Sequence, residues 1–190
     1  MSMGQSGLLN PAQVHTGGNS IWHPSKAPQH VVGIADLWVC SDPGIRLVTY
    51  SLGSCIGLAI YDPVSRVGGM LHFMLPDSTI DPEKAAERPG MFADTGVPAL
   101  FKGAYVLGLE KNRVHVMVAG GAQMFDISDS FNIGNRNYAA LRGLLLRNKI
   151  RIDAEDVGGV VSRTLCLEMD TGKTWVKSGR DEVTLLWKGA

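Results

Sequence analysis

A chain of 190 residues with 45% hydrophobic and 19% charged residues has the size and composition of one globular domain, and it can bury a sizeable core. Lys+Arg and Asp+Glu both number 18, so no net field draws the protein onto nucleic acid. No apolar run approaches the roughly 18–20 residues of a membrane span, and residues 1–13 lack the basic start and apolar stretch of a signal peptide. A soluble, cytoplasmic protein without membrane insertion is expected.

Residues 1–28 are rich in Gly, Ser, Asn, Gln and Pro, nearly uncharged and without periodicity, which predicts a flexible extension pinned at most by Ile21 and Trp22. Residues 29–190 then form a single domain. The mostly apolar stretch from Ile34 to Cys40 predicts a strand, and Ser41-Asp42-Pro43-Gly44 a turn. Ile45–Tyr50 follows as a strand with Ile45, Leu47 and Thr49 on one face. Leu52-Gly53-Ser54 interrupts the pattern. Cys55 opens an apolar run through Tyr61, Asp62–Arg66 turns the chain, and Gly68–Leu75 runs back before Pro76.

Residues 77–89 are polar and loop-like. Val97, Leu100, Phe101, Ala104, Tyr105 and Leu107 form the stripe of a helix over about Thr95–Leu109. Val114–Val118 predicts a buried strand ending at Gly120-Gly121, and Leu141, Leu144 and Leu145 face the core from a helix over about Arg136–Asn148. Strands are expected over Val157–Ser162, Thr164–Met169, Thr174–Lys177 and Val183–Trp187. Paired strands with two main helices define an α+β fold, a layered α/β sandwich with a mostly antiparallel sheet.

The three cysteines, Cys40, Cys55 and Cys166, match neither a zinc motif nor a redox pair, and each is expected to be a free thiol. No cofactor and no metal site is expected; His15, His23 and His30 have no ligand spacing, and His115 sits in an apolar strand as a structural residue. Cys55 differs from the other two thiols because the hairpin delivers a histidine to it. With the turn centred between Val64 and Ser65, Cys55 lies opposite Met74 and His72 is its diagonal neighbour on the same face. With the turn one residue earlier, Cys55 and His72 are directly opposite. Either register brings thiol and imidazole close, since diagonal Cα atoms are about 7–8 Å apart, whereas a half-step slip would separate them onto opposite faces.

Such a pair has a chemical use. A thiol with pKa near 8.5 is mostly protonated at neutral pH, and an imidazole can take its proton and later protonate a leaving amine. Gly53 would let the chain turn so that the backbone N–H groups of Ser54 and Cys55 face a developing oxyanion. Thr49 could orient the ring. Spacing alone leaves both readings open, because free cysteines and lone histidines also fill cores. Gly120-Gly121 lacks the Lys-Ser/Thr of a phosphate loop and reads as close backbone packing near the site. Arg136 and Arg163 read as solvated or structural.

Thr49-Tyr50-Ser51-Leu52-Gly53-Ser54-Cys55, Tyr61-Asp62-Pro63 and Gly68-Gly69-Met70-Leu71-His72-Phe73-Met74-Leu75-Pro76 closely resemble the chemoreceptor glutamine deamidase family, CheD. The resemblance continues in Gly120–Phe125, Ile133-Gly134-Asn135-Arg136-Asn137 and Asp156–Gly159, and covers roughly Val31–Val176. It implies Cys55 as nucleophile, His72 as its base and Thr49 as the third member of a triad. It further implies hydrolysis of glutamine side-chain amides on methyl-accepting chemotaxis receptors, binding to the CheC phosphatase, and a fold like that of toxin-type cysteine glutamine deamidases. The family commonly has Asn where this chain has Leu71. The competing readings are a non-catalytic chemotaxis adaptor, which would not need all three residues, and a cysteine peptidase or transglutaminase-like acyltransferase, for which no second-substrate feature is visible.

Overall fold

In a computed structural model, residues 27–123, 132–179 and 182–189 are described. The expected extension over residues 1–28 lies outside them except for Ala27 and Pro28, as do Met124 and Phe125 of the glycine-rich motif.

The longest apolar stretches of the sequence become the most enclosed strands. β4 (Ile56–Asp62) and β5 (Val67–Phe73) are buried at every position, so layers must cover both of their faces. They are central in a five-stranded sheet with β2 (Asp36–Cys40), β6 (His115–Gly120) and β7 (Ala154–Val157), in the order β2-β5-β4-β6-β7. A second five-stranded sheet joins β1 (Gln29–Val31), β3 (Arg46–Leu52), β8 (Arg163–Glu168), β9 (Thr174–Ser178) and β10 (Glu182–Trp187), in the order β1-β3-β8-β9-β10. Pairings are antiparallel except β1 with β3 and β6 with β7.

Period-two alternation sorts the side chains into two cores. Ile56, Leu58, Ile60, Leu71 and Phe73 pack against Val97, Leu100, Phe101 and Ala104 of α2 (Ala93–Val106) and Leu141 and Leu145 of α3 (Ile133–Arg147). Ala59, Tyr61 and Met70 instead meet Leu47, Leu52, Leu165, Leu167 and Val176 between the sheets. The layers run helix, sheet, sheet. This is the α+β sandwich expected, with two main helices and mostly antiparallel pairing, though the strands divide between two sheets.

Three local expectations are corrected. The region 77–89 is not all loop: α1 (Pro82–Glu87) starts where Asp81 accepts from the Lys84 N–H at 3.0 Å with Pro82 at the first helical position. One and a half turns are too short to show a periodic stripe. Val157–Ser162 is not a strand; the strand ends at Val157 because Gly158 and Gly159 both take positive φ (77° and 66°) and turn the chain. The helix predicted from Thr95 starts at Ala93, held by the bond from Ala93 N–H to the Leu75 carbonyl, a tertiary contact that local sequence does not carry. The short β1 also precedes the first strand expected from the patterning.

Candidate active site

Thr49, His72 and Cys55 all face the space between the sheets. Thr49 lies on β3 on the face of the core residue Leu47, and is fully buried. His72 shares the face of Met70 on β5 and is 1% exposed. β4 pairs with β5 so that Gly57 is opposite His72 and Ile56 opposite Phe73. Continuing that ladder by one residue sets Cys55 opposite Met74, with His72 its diagonal neighbour. Of the two registers allowed by the sequence, the structure has the first, and it excludes the half-step slip. Cys55 is half-buried just before β4 and packs against the inter-sheet core.

The hydrogen bonds at His72 fix its tautomer. Thr49 Oγ1 is 2.8 Å from the Val32 carbonyl oxygen and 2.7 Å from His72 Nδ1. A carbonyl can only accept and a threonine hydroxyl has one proton, so Thr49 donates to Val32 and accepts from His72 Nδ1–H. Nε2 therefore carries the lone pair. It is buried and has no hydrogen-bond partner among the described residues, the Cys55 thiol included. Burial lowers the His72 pKa to about 4, and burial pushes the Cys55 thiol up, partly offset by its own backbone N–H. Both shifts favour a neutral imidazole and a neutral thiol over an ion pair.

The backbone around Cys55 is held on all sides. β3 leaves its ladder between Thr49 and Leu52, where Ser51 takes a left-handed φ of 58°. The Gly53, Ser54 and Cys55 carbonyls then accept in turn from Ala122 N–H (2.8 Å), Asn137 Nδ2 (3.0 Å) and Gly121 N–H (2.8 Å). A Cβ on Gly120 would lie within 2.2 Å of the Cys55 carbonyl oxygen, so the Gly120-Gly121 pair is there for close backbone approach, as read from the sequence.

The remaining candidates separate from the site. Cys166 is 2% exposed, with burial raising its pKa to about 12, and Cys40 is also raised chiefly by burial. Arg163 is 6% exposed and spends its guanidinium on Asp156 and the Gly158 and Val161 carbonyls, a structural role. Arg136 is exposed, and His115 packs on Trp187 with ring centroids 4.5 Å apart. Leu71 points to the helix side of β5, away from His72, so the departure from the family pattern lies in the core and not on the site face. A recess of about 790 Å³ between α3 and β7, lined by Tyr138, Arg142 and Glu155, contains none of Thr49, Cys55 or His72. Sequence reasoning missed the Val32 carbonyl behind Thr49 and the amide of Asn137 behind Ser54. Their partners are 17 and 83 residues away in the chain, beyond any local signal.

A thiol, an imidazole with a free Nε2 and a hydroxyl behind Nδ1 are the parts of a cysteine hydrolase. Residues 74–178 match the family described as CheD chemotactic sensory transduction, and the chain belongs to that family. It is 51% identical over 148 residues (78% of this chain, 92% of the relative) to the probable chemoreceptor glutamine deamidase CheD 1 of Syntrophus aciditrophicus. It is 48% identical over 158 residues (83% and 94%) to the probable chemoreceptor glutamine deamidase CheD of Solibacter usitatus. With CheD 2 of Anaeromyxobacter dehalogenans, also named a probable chemoreceptor glutamine deamidase, it shares 49% over 155 residues (82% and 97%). The span matched by the family begins after Thr49, Cys55 and His72, so the grouping of these three rests on the geometry above.

Proposed function

We propose that this protein is a protein-glutamine deamidase that hydrolyses glutamine side-chain amides to glutamate on methyl-accepting chemotaxis receptors, with Cys55 as nucleophile, His72 as general acid–base and Thr49 as the residue that orients the ring. The observation that carries the reading is the Val32–Thr49–His72 chain of hydrogen bonds, which leaves a basic Nε2 buried and unpartnered on the face that Cys55 shares. The near-50% identity to relatives named as chemoreceptor glutamine deamidases supports the substrate class.

The neutral resting pair makes proton transfer part of the attack. His72 Nε2 takes the thiol proton as Cys55 Sγ bonds to the carboxamide carbon, and the carbonyl oxygen becomes an oxyanion. The backbone N–H groups of Ser54 and Cys55 are the proposed donors to it. The imidazolium gives its proton to the amide nitrogen, the C–N bond breaks and ammonia leaves. Water then loses a proton to His72 and attacks the thioester, restoring the thiol and releasing glutamate. Throughout, Thr49 keeps Nδ1 protonated, so that Nε2 is the nitrogen that cycles.

The proposal includes a cytoplasmic location, a single catalytic domain over residues 29–190 behind the 1–28 extension, and the CheC phosphatase as a second protein partner, expected from family membership. None of the described helices is long and apolar enough to cross a membrane. Purified protein incubated with a receptor cytoplasmic fragment should raise glutamine-containing peptides by about one mass unit, as amide becomes acid. Cys55→Ala should abolish the shift while Cys40→Ala and Cys166→Ala keep it. Turnover surviving in Cys55→Ala would overturn the assignment.

A further inference from the structure

Asn137 is completely buried in α3, yet its side chain bonds neither its own helix nor a neighbouring polar side chain. Its Nδ2 donates to the Ser54 carbonyl at 3.0 Å and to the Met74 carbonyl at 2.9 Å. Both acceptors are carbonyls, so the amide cannot be flipped without losing both bonds. Ser54 precedes Cys55 in the chain, and Met74 is the residue the β4–β5 ladder would set opposite Cys55. The amide thus spans the hairpin where the ladder has ended. Oδ1 is buried with no partner among the described residues. An amide with one end unsatisfied is a poor way to fill a core, and its presence is explained by what the other end holds.

The approach of α3 is set to allow this reach. A Cβ on Gly134 would sit 2.7 Å from the carbonyl carbon of Gly121 and 2.9 Å from the Ala122 oxygen, so only glycine lets the helix start come so near. Asn137 follows three residues later on the same helix face. In a planar trans peptide the C=O and the following N–H point opposite ways, and none of the described peptide bonds is cis. Holding the Gly53 carbonyl through Ala122 N–H therefore fixes the direction of Ser54 N–H. Holding the Ser54 carbonyl through Asn137 fixes the direction of Cys55 N–H, away from α3. That N–H is also close enough to the sulfur to offset part of the rise that burial gives the thiol pKa.

We propose that Asn137 is a positioning residue that aims the Cys55 backbone N–H at the oxyanion formed when Cys55 attacks an acyl carbon. It works through the Ser54–Cys55 peptide plane and does not touch substrate. The inference deepens the deamidase reading and rests on Cys55 being a nucleophile, though not on the receptor being its substrate.

Two reagents separate the roles. Acylation of Cys55 by p-nitrophenyl acetate passes through a tetrahedral oxyanion and forms a thioester as nitrophenolate leaves. Alkylation by iodoacetamide displaces iodide at a saturated carbon and forms none. Rates at the Cys55 peptide are read by mass spectrometry for wild type, Asn137→Ala, the near-isosteric Asn137→Asp, and Asn148→Ala as an exposed control at the C-cap of the same helix. The expected result is that both Asn137 variants lose about tenfold or more in acylation, while alkylation stays within about threefold and Asn148→Ala changes neither. On receptor fragment, kcat should fall with KM nearly unchanged. Equal loss in acylation and alkylation would reduce Asn137 to a folding role and overturn the proposal, as would unchanged acylation. If Asn137→Ala does not fold, Asn137→Asp decides the matter by the same ratio. A wild type that acylates at Cys55 but leaves receptor glutamines intact would refute the deamidase reading alone, with the ratio still judging Asn137.

Discussion

The two ends of the β4–β5 hairpin bury polar groups in opposite ways. At the turn end, Asp62 is fully buried and both its oxygens are partnered: it accepts from the Val64, Ser65 and Glu110 N–H groups and from Arg113 through Nε and NH2. Burial pushes its carboxyl up, but Arg113 and the backbone donors outweigh this and hold it well below the usual carboxylate range. At the open end, His72 and Asn137 are buried as deeply, yet His72 Nε2 and Asn137 Oδ1 have no partner among the described residues. A satisfied buried network stabilises one structure, whereas the unpartnered His72 Nε2 is left free for the proton transfer proposed above. The same two strands therefore carry a structural clasp at one end and the proposed reactive site at the other.

Exchanging the effects of mutation at the two ends would break this comparison most sharply. Cys55→Ala and His72→Ala should each cut receptor deamidation by at least ~10³-fold, with a melting temperature close to wild type for Cys55→Ala. Asp62→Ala should do the reverse. It leaves Arg113 with only Glu110 as a carboxylate partner among the described residues and the Val64 and Glu110 N–H groups without their acceptor, costs about 2–3 kcal/mol, lowers Tm by about 5–10 °C, and leaves kcat per folded molecule near wild type at low temperature. A thermal melt beside a rate assay reads both, and an Asp62 variant that keeps its Tm while losing kcat would erase the distinction.

Acid sharpens it next. The folded-state pKa of His72 is about 4 against 6.5 for an unperturbed imidazole. The unfolded chain thus binds the proton first as pH falls. The stability that goes with a neutral buried ring is fully present above pH ~6.5, is lost on the way down to about pH 4, and amounts to about 3 kcal/mol. Denaturant midpoints for wild type and His72→Gln should converge across that window. The acid limb of kcat/KM in wild type should fall near pH 4, since the free enzyme needs Nε2 unprotonated; a limb at the ordinary histidine value would mean a wetter site than the one described. Smallest in the series, Thr49→Val should lower kcat about tenfold to hundredfold by freeing the ring to rotate and change tautomer, with KM little affected. The same substitution leaves the Val32 carbonyl without its donor, so a modest fall in Tm should accompany it.

Much of the site was legible because it is built on alternation. Leu47 and Thr49 share a face, as do Met70 and His72, and a hairpin of this length allows only a few registers. The two main helices were legible for the same kind of reason, their stripes recurring at helical spacing. Gly120-Gly121 was readable as a close-packing element, and its clash distance to the Cys55 carbonyl is the physical content of that reading. The short helix at Pro82–Glu87 carried its signal in Asp81 and Pro82, overlooked because six residues give no stripe. The strand expected over Val157–Ser162 was misplaced because Val160 and Val161 look like strand residues, whereas the two glycines before them decide the backbone and leave those valines exposed, and the strand lies over Ala154–Val157 instead.

The sequence by itself determined the fold class, the face that Thr49 and His72 share with their strand neighbours, and Cys55 as the one thiol for which a hairpin offers a histidine partner. Those follow from periodicities of two and 3.6 and from residue chemistry, which are local. Only the tertiary structure decided which hairpin register holds, that Thr49 spends its proton on Val32 and so leaves Nε2 basic, that burial keeps thiol and imidazole neutral, and that Asn137 grips Ser54 from another layer. Each of these depends on an atom 17 to 83 residues away or on exclusion of water by three stacked layers, and chain folding, not local pattern, sets both.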